Sequence, residues 1–159
     1  CGHKFHGPRG IGALLHTRDV PLESLMFGGG QERGLRPGTH NVPGIVGLGA
    51  AASLVPTLIE SGEGIALLRD QLFGLLCDGL PGVSRNGSDE YVVCNTLNVR
   101  FAGADNEAVL SGLRTVMCST GSACASGKPE PSHVLTAMGL SKAEADESIR
   151  FSLSYATTE

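Results

Sequence analysis

No run of Lys or Arg occurs anywhere in the 159 residues, and the formal net charge is −4. The chain therefore offers no basic patch for a nucleic acid or an anionic membrane surface. No C-x-x-C pair occurs either. Cys118, Cys124 and His133 come nearest to a ligand set, but they lack a fourth ligand at a suitable spacing, and no metal site is expected. The five cysteines, at positions 1, 77, 94, 118 and 124, are odd in number and irregularly placed. That is a poor disulfide framework and fits free thiols in a reducing compartment. The chain opens on Cys1 rather than Met, and the basic, apolar and small-residue zones of a signal peptide do not follow it. The expectation is that the true start is missing or processed, and that the protein is cytoplasmic, or organellar if a transit peptide has been lost. With 23 glycines cutting its apolar runs, the chain is read as lacking the stretch of about 18 apolar residues that a membrane helix needs, and hence as soluble. No internal repeat or low-complexity tract is present.

What the chain does contain is an ordinary globular composition, 41% hydrophobic and 18% charged, enough for one sizeable core and suited to small-molecule chemistry. The apolar run from Gly10 to His16 is read as a buried strand leading to a turn near Asp19 and Pro21. From Asn41, a plausible N-cap with Pro43 in the first turn, the spacing of Val42, Ile45, Val46, Leu48 and Ala52 predicts a helix whose small residues allow close packing. A second helical pattern puts Ile65, Leu68, Leu72, Leu75 and Leu76 on one face, leaves Arg69 and Asp70 outside, and ends at Gly79 before Pro81. It is read as a domain connector.

Tyr91 to Phe101 predicts a strand, and Asp105 caps a helix carrying Val109, Leu110 and Leu113. Ser132 precedes a short helix to Met138. Ser141-Lys142-Ala143-Glu144 matches a capping box, and Ile149 to Leu153 returns as a strand. The class is α/β.

Two residues carry the chemistry. Lys4, between His3 and a Gly/Pro turn, is either a solvated surface amine or a covalent anchor for an aldehyde cofactor whose phosphate His3 and the backbone at Gly2 help to hold. Cys124 lies in Gly121-Ser122-Ala123-Cys124-Ala125-Ser126-Gly127, where no bulky neighbour locks a core position and Pro129 and Pro131 oppose a helix. An exposed, mobile loop bearing a thiol nucleophile is the better reading than a small apolar filler. Cys77, Cys94 and Cys118, set in apolar patterns, are assigned to structure. Arg150, at the start of a strand, is a surface cation or a planar fork for a substrate carboxylate, and sequence alone leaves both open. Gly28 to Thr39 is a flexible loop, or a phosphate or subunit contact.

The segments Gly2-His3-Lys4-Phe5-His6-Gly7-Pro8-Arg9-Gly10, Gly28 to Thr39 and Gly121-Ser122-Ala123-Cys124 closely resemble the cysteine desulfurase and selenocysteine lyase family of the class V aminotransferase group. Glu130-Pro131-Ser132 and Ser148-Ile149-Arg150-Phe151 extend the likeness through nearly the whole chain. The resemblance implies the C-terminal part of a fold type I pyridoxal-5'-phosphate enzyme, with residues 1–58 the end of the large cofactor domain and 59–159 the small domain. It implies Lys4 as the covalent anchor of the cofactor, Cys1, Gly2 and His3 as further cofactor contacts, Thr39 as a contact to the phosphate of a neighbouring subunit's cofactor in a homodimer, Arg150 as the grip on the substrate carboxylate, and Cys124 as the nucleophile.

The activity implied is removal of sulfur from L-cysteine to give alanine and an enzyme persulfide, for iron–sulfur cluster or thio-cofactor assembly through sulfur-acceptor or scaffold proteins. Release of selenium from L-selenocysteine ranks second, and an inactive sulfur-relay or interaction module is the reading from another class. Departures stand at Cys1, where family members often carry Ser, at His6, where Tyr is common, and at Ser154-Tyr155, where Gly-Arg is common. The family's pyridinium-nitrogen partner and ring-stacking residue fall upstream of Lys4, and the fragment alone is expected to lack activity.

Overall fold

The computed structural model describes residues 1–121 and 131–159, which form two units, Cys1–Ile59 and Glu60–Glu159. In the first, a 3₁₀ turn over Gly2–Lys4 opens the chain and another spans Gln31–Gly34. The long helix α1, Val42–Glu60, begins as the Asn41 side chain implies, since Asn41 Oδ1 accepts from the Gly44 N–H at 3.1 Å. The run from Gly10 to His16 is not a strand. It makes no ladder with the described residues, and Leu14 and Leu15 stand 75% and 91% exposed. Apolarity alone does not make a strand where no partner backbone takes up the N–H and C=O groups.

The expectation that no apolar segment reaches membrane-spanning length is also corrected, because α1 is long and apolar enough by length and composition, with a mean hydropathy of 1.8 over 18 residues. Its glycines interrupt the run without lowering the average much, and Glu60 is its single charge. A core helix of a soluble protein can have the same composition, but only 11% of this window is buried.

The second unit is built on a three-stranded antiparallel sheet in the order β1 (Val83–Arg85), β2 (Thr96–Phe101), β3 (Ser148–Ser152). Strand β1 went unseen in the sequence because three residues are too few to show a period. The pattern read as a strand from Tyr91 becomes one only at Thr96, and Tyr91 itself is 83% exposed. Period-two alternation then sorts the faces. Leu97, Val99 and Ile149 point one way and are almost wholly buried, whereas Asn98, Arg100, Ser148 and Arg150 point the other.

Helix α2, Gly62–Gly79, lies on the apolar face. The ion pair from Arg85, which shares that face with its partner Val99, reaches α2 at Asp70 over 2.8 Å, and the Arg85 guanidinium stacks on Phe73 at 4.5 Å. Arg69 is not outside, as the helical pattern implied: it is 6% exposed, donating to the Val93 carbonyl at 2.9 Å and to both oxygens of Asp70. A long side chain reaching a backbone acceptor can be buried on a face that its charge would seem to forbid. Leu75, placed on the inner face by periodicity, is 63% exposed.

Helix α3, Asn106–Gly112, is capped by Asp105, whose Oδ1 accepts from Ala108 N at 2.8 Å. The short α4, His133–Ala137, follows Ser132, and α5, Lys142–Asp146, has the full capping box between Ser141 and Glu144. Arg100 ties the polar face of β2 to this last segment, with Nε on Glu147 at 2.7 Å and Nη1 on Glu144 at 2.8 Å.

The Arg100 hydrogen bond and the Gly103 N–H hold the Glu147 carboxyl below its ordinary 4.5, and the Ser141 N–H and hydroxyl, with Arg100 beyond them, do the same for Glu144. Because each folded pKa is depressed, this stabilisation is complete above about pH 4.5 and is lost as pH falls through the folded values. The thermal midpoint is therefore expected to drop on acidification below that point. Arg100→Gln should lower the midpoint at neutral pH and flatten its acid dependence, and a variant with the wild-type acid slope would remove Arg100 from this role.

Candidate functional site

In the first unit the candidate residues stand on one tight turn. Gly2 is buried, and its N–H donates to the Ile11 carbonyl at 2.9 Å while its own carbonyl accepts from Phe5 and Gly7. A Cβ at Gly2 would lie 3.0 Å from both Ile11 Cγ2 and the Pro8 carbonyl, and one at Gly7 would meet the Gly2 carbonyl at 2.9 Å. The two glycines thus close the loop back on itself. Gly2 was expected to offer its backbone to a cofactor, but its N–H is already committed, so it shapes the turn instead of serving as a free donor.

The tight base pushes Cys1, His3 and Lys4 outward, and all three are exposed. Cys1 Sγ lies 3.1 Å from His3 Nδ1, and the Lys4 N–H donates to the Cys1 carbonyl at 3.2 Å. An amine, an imidazole and a thiol on one exposed turn form a donor set that suits an anionic aldehyde cofactor. Thr39 is exposed beyond the glycine-rich segment, with its carbonyl accepting from Arg36 Nη1 at 3.3 Å.

In the second unit the residues converge on Arg150. It is the third residue of β3, and it has neighbours on both sides. Asn98 is its partner on β2, and Ser119 bridges its other edge through two backbone hydrogen bonds, 2.6 and 3.1 Å long. Arg150 lines a recess of about 120 Å³ together with Asn98, Thr120, Gly121, Ser132 and His133, none of them acidic. Its Nε is buried without a hydrogen-bond partner, and no ion pair engages its guanidinium among the described residues.

Arg85 Nε is also unpaired, but both ends of that guanidinium are taken, by Asp70 and Asp89. A buried donor without a partner among the described residues, in a recess whose described lining carries no acid, suits an anion. Arg150 is half-buried, so it is not a free surface cation.

Cys124 lies outside the described residues, three positions after Gly121 in sequence. Among the described residues four cysteines are free: Cys1 and Cys77 exposed, Cys94 and Cys118 half-buried. Cys77 was assigned to packing, yet it sits on the outer side of α2, one helical step past the half-buried Leu76. Burial pushes the Cys118 thiol up from its ordinary 9.0. Asn98, Thr120, Ser132 and His133 were not singled out from the sequence as site residues. An Asn between Leu97 and Val99 is the one available signal, because alternation sets it on the polar face, but its pairing with Arg150 depends on register.

The sequence model of the Aminotransferase class-V family matches residues 1–159, the whole chain. The chain belongs to the class V aminotransferase family. Among its relatives, a protein named cysteine desulfurase from a Nostoc species is 48% identical over 161 residues, spanning 99% of this chain and 40% of the relative. A solved structure titled NifS-like protein superposes with a TM-score of 0.81 at 38% identity, over 99% of this chain and 40% of the other. One titled SspA in complex with cysteine gives a TM-score of 0.70 at 39% identity, over 99% and 43%. The chain thus spans about 40% of the length of the curated relatives it matches, and its mixed helix and sheet architecture is part of the fold type I transferase fold.

The back-to-back glycines of this family member's lysine turn give a direct test. Gly7→Ala must part Gly2 from Gly7, so amide exchange at Gly7 and Phe5, both bonded to the Gly2 carbonyl, should quicken at least tenfold, while the amides of β2 and β3 keep their rates. Unchanged exchange at Gly7 would show that the turn does not need the missing Cβ.

Proposed function

We propose that this chain is the C-terminal part of a homodimeric, pyridoxal-phosphate-dependent cysteine desulfurase that takes sulfur from L-cysteine and leaves alanine. The observation that carries this reading is the half-buried Arg150, whose buried Nε has no partner among the described residues, in a recess with no acid among its described lining and walled by the segment that leads into Cys124. The relatives named cysteine desulfurase and the neighbour titled as a cysteine complex support the choice of substrate. The class V family is pyridoxal-phosphate dependent in general, and the exposed amine, imidazole and thiol of the first turn suit that group.

In this reading Lys4 holds the cofactor covalently, and His3 and Cys1 face its phosphate from a turn that Gly2 shapes. Thr39 reaches the phosphate of the partner subunit's cofactor. Bound pyridoxal phosphate supplies an electron sink next to the substrate's α-carbon. Lys4 would hold the cofactor until substrate arrives, and Arg150 would grip the substrate carboxylate through its planar fork, fixing where the side-chain sulfur points.

The Cys124 thiolate attacks that sulfur. A sulfur–sulfur bond forms as the carbon–sulfur bond breaks, the bonding pair stays with carbon, and a proton then completes alanine. Cys124 is left as a persulfide, ready for an acceptor or scaffold protein in iron–sulfur cluster or thio-cofactor assembly. The free thiols fit a reducing, cytoplasmic setting, which belongs to the same proposal.

In the full-length polypeptide, added pyridoxal phosphate should produce a visible absorbance band that Lys4→Ala abolishes. Cys124→Ser should keep the band and lose at least a hundredfold in alanine release from L-cysteine. Near-exclusive release from selenocysteine would move the assignment to a selenocysteine lyase. Persulfide gained by Cys124 from a donor protein alone, with no band in the wild type, would make it a relay.

A further inference from the structure

We infer that Asn98 is a second donor in the carboxylate subsite, acting with Arg150 to fix the orientation of the bound anion. The inference rests on the reading of Arg150 as a carboxylate fork and goes beyond it by naming the residue that restricts how the anion sits. Asn98 and Arg150 are direct partners across β2 and β3, so their side chains leave the same face at the closest lateral spacing that a sheet allows, and both line the same recess.

A chain of hydrogen bonds sets the direction of the Asn98 amide. The Ser148 hydroxyl donates to the Glu144 carbonyl at 2.6 Å, which leaves Ser148 Oγ as an acceptor. Asn86 Nδ2 donates to that oxygen at 2.9 Å and to Asn98 Oδ1 at 2.7 Å. The Asn86 backbone N–H also donates to the Asn98 carbonyl at 2.9 Å, holding the two residues side by side. With Ser148 fully buried, this chain is sheltered from competing water.

Asn98 must therefore present oxygen to Asn86, and its Nδ2, with two N–H groups and no partner among the described residues, is what remains for the recess. The adjacent Arg150 carries a buried unpaired Nε. Two neighbouring side chains on one face thus both lack an acceptor, and one carboxylate satisfies both. An Arg fork alone lets an anion slide between its donor pairs. A fixed amide donor to one side selects a single seating, and with it the position of the carbon chain attached to the carboxylate.

The experiment uses the full-length holoenzyme and reads binding rather than turnover. The affinity for L-alanine, which carries the carboxylate, is compared with that for ethylamine, which lacks it, by the change each makes in the cofactor absorbance. Asn98→Asp keeps an oxygen for Asn86 but turns the free donor into an anion beside Arg150. It should cut the preference for alanine over ethylamine at least tenfold and leave both the ethylamine affinity and the unliganded spectrum unchanged.

Asn98→Ala, which adds no charge, should cut the preference about tenfold, the lower end of the scale of one charge-assisted hydrogen bond, and covers the case in which the Asp variant does not fold. Equal loss for both ligands, or a preserved preference in either folded variant, would make Asn98 purely structural and overturn the inference while leaving Arg150 in place. A wild-type enzyme without any preference for alanine would overturn the Arg150 reading and this one together.

Discussion

The register between β2 and β3 decides what the second unit can do. Val99 faces Ile149 in the core and Asn98 faces Arg150 on the other side. Because side chains alternate with a period of two, a slip of one residue would drive the Arg150 guanidinium into the apolar layer and turn Ile149 out to solvent. Burial of Leu97, Val99 and Ile149, each at most 1% exposed, is what forbids the slip. The hydrophobic effect on one face of the sheet thus fixes the polar geometry of the other, and the recess inherits its precision from residues that never touch it.

The second unit's charges divide into two kinds. Arg69 and Arg85 converge on Asp70, whose carboxyl Arg69 and then Arg85 hold below its ordinary value, and Arg100 spans Glu144 and Glu147. These cations have internal partners and bind α2 or the α5 segment to the sheet. Arg150, in the same sheet and two residues from Ser148, has none among the described residues. Among the described residues the other half-buried sheet arginines are paired and this one is not, and an unpaired buried donor costs stability unless something else meets it. The fold and the chemistry are separated by who neutralises whom.

Much of this was legible in advance, and the illegible parts share a cause. Helix starts at Asn41, Asp105 and Ser141 could be read because a cap is a local event: one side-chain oxygen and one or two N–H groups within three residues. The end of β2 and most of β3 could be read because alternation needs only a few residues. Gly10 to His16 could not, since an apolar run becomes a strand only where another backbone pairs with it. Nor could Arg69, whose burial depends on the Val93 carbonyl 24 residues away, or Asn98, whose meaning comes from a partner 52 positions later. The motif residues Lys4 and Arg150 were visible as chemistry, but whether Arg150 was a surface charge or a binding fork was a question of burial, which no pattern of neighbours answers.

The cysteines show how burial assigns sulfur chemistry among groups that look equivalent in the sequence. Cys118 lies six positions before Cys124 and leads into Ser119, the residue bridged to Arg150, so proximity alone would make it a rival nucleophile. Burial raises its pKa, and a thiol held protonated is a poor attacker because the thiolate is the reactive form. Cys94 is half-buried and lies 3.6 Å from where a side chain on Gly62 would begin, which marks it as a packing residue. Cys77 stands on the outer side of α2 and Cys1 belongs to the lysine turn. Burial thus leaves the Arg150 Nε without a partner among the described residues and, next to Ser119 in sequence, disarms the Cys118 thiol. Under the proposed function, the nucleophile for a ligand held by Arg150 is a thiol without this burial penalty, and the sequence around Cys124 is made of glycine, serine and alanine.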